Sequence, residues 1–183
     1  MKERAFTLNE LLITVAILLI ISGAIYSGYS LSQKAYRESE LAAEITQNGR
    51  VILERMTREI RQAKEIVGDF PEEKEGALSE ITFEDGHTTS SYHYIHYFKT
   101  NNNIKREIIG YYFFDDPDET LVPWDTTSTT QVVETKSLEE PEIIGEWVEN
   151  LELWGTKTIN ITLGLVKLDK SLDLETKVFC RNF

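Results

Sequence analysis

Glu10 is the side chain that asks most of its surroundings. It stands at the mouth of a run, Leu11 to Leu31, that holds no charged residue, and an ionised carboxylate entering lipid costs a few kcal/mol unless a cation pairs with it. Pairing is therefore the chemistry to look for. A second candidate is the acidic cluster Asp115, Asp116, Asp118 and Glu119, because Ca2+ takes about six to eight oxygen ligands and several carboxylates must converge on it. Its spacing fits no EF-hand loop, and a solvated acidic loop is the commoner reading, so no metal is assigned. The histidines are His87, His93 and His96. On a strand His93 and His96 point to opposite faces, which defeats joint ligation. No Gly-rich phosphate loop, nucleophile elbow or HExxH helix occurs, so the expectation is a structural protein without a cofactor rather than an enzyme. Cys180 is the single cysteine, which rules out an internal disulfide and reads as a small buried hydrophobe.

The element that must position Glu10 is a helix. At 1.5 Å rise per residue, Leu11–Leu31 spans roughly 30 Å, the thickness of a bilayer core. Lys2 and Arg4 precede it with one acid, Glu3. Retained positive charge orients a single-pass helix with its N-terminus in the cytoplasm and the rest of the chain outside. A secretory signal also begins this way, but the run is long for one, and Ser22-Gly23-Ala24 is the nearest approach to its cleavage site. Beyond it, Ala35, Leu41, Ala42, Ile45, Ile52, Met56, Ile60 and Ala63 recur at spacings of three, four and seven with no proline among them. That periodicity predicts an amphipathic continuation to about Ala63, and a helix from Phe6 roughly 85 Å long. Residues 1–63 carry 8 Lys/Arg and 7 Asp/Glu, residues 64–183 carry 11 and 24. An acidic head disfavours nucleic-acid binding, which needs cations to displace phosphate counterions.

The segment Arg4-Ala5-Phe6-Thr7-Leu8-Asn9-Glu10 resembles the N-terminus of type IV pilins and pseudopilins, in which a leader is cut before a Phe and the fifth mature residue is Glu. The resemblance implies a leader at 1–5, cleavage by a prepilin peptidase between Ala5 and Phe6, N-methylation of Phe6, and an assembly role for Glu10 opposite the Phe6 amine of an incoming subunit. Ala5 stands where the family usually has Gly, and Asn9 where it has an aliphatic residue. Gly49 to Ala63, Lys105-Arg106-Glu107, Val148-Glu149-Asn150-Leu151 and Val178 to Asn182 are similar to J-type minor pseudopilins and W-type minor pilins. The resemblance further implies other pilin subunits, an inner-membrane assembly platform and its ATPase as partners, and the plasma membrane, then a pilus or pseudopilus, as the location. Some pseudopilins bind Ca2+, which is what the cluster at 115–119 would be for.

The fold class expected is α+β: a long N-terminal helix, membrane anchor at 6–31 and amphipathic half at 32–67, against a β-rich head at 68–183. Gly68 and Pro71 end the helix. Strands are expected at Ile81–Phe83, Ser91–Lys99, Ile104–Ile109, Glu146–Trp154, Lys157–Val166 and Glu175–Cys180, with a bulge near Asn150. Tyr92, Tyr94, Tyr97 and Phe98 are expected to pack over the helix, and Pro123–Glu142 to form a long surface loop with at most one strand, at 131–133. Two functions from different classes fit these features. One is a minor pilin or pseudopilin; the other is a membrane-tethered surface domain that never polymerises and holds a ligand with residues 115–145.

Overall fold

The computed structural model describes residues 7–86, 92–128 and 131–181. The order is one helix, α1 (Leu8–Gln62), a short 3-10 turn at Lys74–Gly76, and eight strands: β1 (Glu80–Glu84), β2 (Tyr94–Thr100), β3 (Asn103–Phe113), β4 (Val133–Ser137), β5 (Glu142–Gly145), β6 (Val148–Trp154), β7 (Thr158–Lys167) and β8 (Lys170–Phe179). The layout is a long N-terminal helix with antiparallel sheets, an α+β, pilin-like arrangement. Two compact units divide it, Met1–Ala43 and Glu44–Phe183, with the boundary inside α1.

In the first unit every described residue from Thr7 to Glu40 is exposed. Leu11, Leu12, Ile13, Ile17, Leu18 and Ile21 lie on all sides of the helix, each more than half exposed. A helix apolar all round is stable only in lipid or among other helices, and this one is long and apolar enough to cross a membrane.

The second unit is built on the remaining turns of α1. Ile45, Ile52, Met56 and Ile60 recur at helical spacing and are at most 1% exposed; with Phe83, Tyr97, Leu151, Leu153, Leu163 and Val178 they form one core. Gly49 lets the helix lie close, since a Cβ there would press on the Leu165 and Leu174 side chains of β7 and β8. The larger sheet runs β1-β2-β3-β4 with β5 also on β3, and the smaller runs β6-β7-β8. They join where Leu78 bridges Leu153 and the Val148 N–H donates to Asn102 O. The expected irregularity lies between Val148 and Asn150.

Three expectations need correction. Of the four aromatics near β2, Tyr97 faces the helix, where its hydroxyl donates to Glu59. Tyr94, an odd number of residues away, lies on the opposite face against Tyr111, ring centroids 4.9 Å apart, and Tyr92 is exposed. The segment from Pro123 to Glu142 is only partly a loop. Trp124 anchors it, its backbone N–H donating to the Tyr94 hydroxyl and its indole N–H to Glu65, and the segment supplies β4 and the first residue of β5. Finally, β8 begins at Lys170 rather than Glu175, because Leu168 and Asp169 close a two-residue hairpin between Lys167 and Lys170. Leu168 takes the positive φ (55°) that such a turn requires, a position normally marked by Gly or Asn.

Candidate functional site

Thr7 and Glu10 form a capping box. The Thr7 N–H and hydroxyl donate to Glu10 Oε2 at 3.0 and 2.9 Å, and the Glu10 N–H donates to Thr7 Oγ1 at 3.4 Å. Each side chain satisfies backbone groups that the first turn of a helix leaves orphaned. Sequence reasoning gave Glu10 a role but missed Thr7, although Ser/Thr-x-x-Glu before an apolar run is the signature of this motif. Both residues are exposed, so the carboxylate remains accessible to a partner from another molecule. Thr14 donates its hydroxyl to Glu10 O at 2.7 Å. Ala5 and Phe6 lie outside the described residues.

The acidic cluster is organised as a turn. Asp116 accepts from the backbone N–H groups of Asp118 and Thr120, both at 3.0 Å, and these bonds hold its carboxyl below the usual carboxylate range. Glu119 pairs with Lys136, and Asp115 and Asp118 are exposed. Among the described residues no three His, Cys, Asp or Glu side chains are grouped to hold a metal. His96 sits between carboxylates, Nδ1 2.9 Å from Glu107 and Nε2 3.5 Å from Glu80, stacked on Phe98. His93 precedes β2, and His87 lies outside the described residues.

One polar cluster escaped the sequence reading. Glu59, on the helix, accepts from the Tyr97 hydroxyl at 2.8 Å and from Arg106 Nε at 3.0 Å, and Arg55 lies between Glu59 and Glu142, 2.6 Å from the latter. Burial, then the Glu59 carboxylate, pushes the Tyr97 hydroxyl well above its ordinary value. Arg55 in turn holds the Glu142 carboxyl low. The spacing of four between Arg55 and Glu59 was visible in the sequence. Their meeting with strands β2 and β3 was not.

Residues 1–26 match the family model of the prokaryotic N-terminal methylation motif. That motif, which includes the start of the apolar helix and is followed by antiparallel sheets, supports a type IV pilin or pseudopilin. Proteins of this family are processed by a prepilin peptidase and serve as structural subunits rather than enzymes, and the apolar helix fits anchoring in a membrane. No curated protein and no solved structure matches the chain significantly.

Proposed function

We propose that this chain is a minor subunit of a type IV pilus or type II secretion pseudopilus, of the J or W type. A prepilin peptidase cuts it between Ala5 and Phe6, Phe6 is N-methylated, and the helix then leaves the bilayer for the filament core with the help of a platform and its ATPase. Until then the membrane holds the anchor and the head stays outside the cytoplasm. The observation that carries the reading is a helix exposed and apolar on every side, which begins inside a methylation motif and has a carboxylate at its mouth. Outside lipid, such a surface has to be covered by like helices.

Glu10 is assigned the amine of Phe6 on an adjoining subunit. Unpaired, either charge carries a burial penalty of several kcal/mol in the filament core; paired, they also fix the axial register. The capping box sharpens the test. Glu10→Ala removes charge and cap together, whereas Glu10→Gln keeps a capping acceptor and loses only the charge. The measurement is intact mass of the membrane-extracted protein, with the ratio of tagged protein in sheared filaments to that in membranes. The expected result is loss of Met1–Ala5 and gain of one methyl group for all forms, with the filament fraction reduced in Glu10→Gln as much as in Glu10→Ala. Wild-type partition for Glu10→Gln would refute the pairing, and a retained Met1 with no filament pool would favour a tethered domain that does not polymerise.

A further inference from the structure

The end of α1 and the end of the chain meet in a groove of about 390 Å³ lined by Glu54, Thr57, Arg58, Arg61, Gln62 and Arg181. Arg58 and Arg61 lie on one helix face, and Arg181 arrives from beyond β8, held by its own N–H donating to Arg61 O at 3.3 Å while Cys180 is fixed to Lys157 O. All three arginines are exposed. Residues 44–183 carry 27 Asp/Glu against 15 Lys/Arg. Among the described residues of this domain six cations pair with a carboxylate: Arg55, Lys64, Lys74, Arg106, Lys136 and Lys167. Arg58, Arg61 and Arg181 do not: no ion pair joins them to Glu54 or to any other described residue. One arginine in the last turn is accounted for by the helix dipole. That account does not extend to Arg181, which adds a third like charge, and like charges at close range repel.

We propose that this groove receives an acidic segment of an adjoining subunit, its guanidinium groups taking carboxylates in the bidentate manner that suits arginine. The inference rests on the filament reading for who the neighbour is, and on charge complementarity for what it presents. Two heads of this acidity repel wherever acidic faces meet, so a basic groove is where close approach is electrostatically favoured.

The test uses the full-length chain in membranes of the cells that express it. Arg58→Lys and Arg61→Lys keep the charge and supply an amine that displaces the O-acylisourea formed by a water-soluble carbodiimide on a carboxylate in direct contact, giving an amide while the carbodiimide leaves as a urea. The expected result is a covalent adduct of higher mass whose linked peptide joins position 58 or 61 to an Asp or Glu of a second polypeptide. Its yield should exceed that of Arg58→Ala/Arg61→Ala at least fivefold and fall with added salt. Links confined to the chain's own carboxyl groups, or a yield equal to the alanine control, overturn the proposal. In a second arm, Arg58→Glu/Arg61→Glu should lower the filament fraction at least fivefold at unchanged membrane level, and an unchanged fraction also overturns it. If wild type itself never enters filaments, the filament reading fails, and the adduct in membranes still decides the groove.

Discussion

A chain that begins at Lys64 should not fold, whereas one that begins at Gln33 should be folded and monomeric. Truncation at Lys64 removes Ile45, Ile52, Met56, Ile60 and Ala63, none more than 1% exposed. Burying one large aliphatic side chain contributes about 1.5–3 kcal/mol, so loss of the four large ones forfeits about 6–12 kcal/mol. Domains of this size have a net stability of about 5–15 kcal/mol, and the deletion consumes most or all of it. It also uncovers Phe83, Tyr97 and their neighbours in the same core, an apolar face too large to leave wet. Near-UV circular dichroism and urea melts of the two fragments are the assay. The Gln33 fragment should give a single cooperative transition and the Lys64 fragment none. Within the longer fragment, Ile52→Ala should cost about 2–5 kcal/mol. A cooperative melt from the Lys64 fragment would refute the claim that α1 is the core element of the head.

Glu59→Ala strands the buried Tyr97 hydroxyl and Arg106, each side chain of the Glu59–Arg106 pair being only 14% exposed; a loss of about 2–4 kcal/mol in urea melts is expected, and about 1–2 kcal/mol for Glu59→Gln, which keeps an acceptor. At alkaline pH the head should weaken. Burial pushes Cys180 up from 9.0 to about 11 and Tyr94 from 10.0 to about 12, and raises Tyr97 further. Raised values mean that the stabilisation is whole below the unfolded values, about pH 9 to 10, and is lost as pH rises through the folded ones. Melting temperature should therefore hold to about pH 9 and then fall, and Tyr97→Phe should reduce the alkaline slope by up to about 1.4 kcal/mol per pH unit. Gly145→Ala should destabilise by about 1–3 kcal/mol, because the new Cβ meets Ile52 Cδ1 and Cγ1 in the packed core; a neutral result would show that β5 can shift away from the helix.

The helix and most of the two sheets were legible because each carried its own period. Ile45, Ile52, Met56 and Ile60 recur at spacings of seven and four, and the strand at Ile159, Ile161, Leu163 and Leu165 alternates in twos with every one of them buried. What failed was knowledge of what lies on each face. Tyr94 was expected over the helix with Tyr97 although their odd spacing puts them on opposite faces, and nothing local announced that Trp124, thirty residues on, would bond to it. The start of β8 was hidden because Leu168 adopts a left-handed conformation that its side chain does not advertise. β4 has four exposed residues out of five, so it lacks the half-buried alternation by which a strand is recognised and is defined only by its pairing with β3.

The cap at Glu10 and the proposed pairing with an adjoining subunit do not compete for the same atoms. As an N3 residue Glu10 caps a helix whose first-turn N–H groups would otherwise be unpaired, and its negative charge is favoured there by the helix dipole. Among the described residues only Thr7 donates to its carboxylate, and only to Oε2; a carboxylate has two oxygens and about four acceptor sites, which leaves capacity for an ammonium group while the cap persists. Thr7 immediately follows Phe6 in the chain, which places the proposed new amine one residue from the cap of its own helix. An amine there is a positive charge at the positive end of a helix dipole, an unfavourable position. In the proposed pairing a carboxylate from an adjoining subunit relieves that repulsion, while the subunit's own Glu10, bonded to Thr7, keeps the first turn formed.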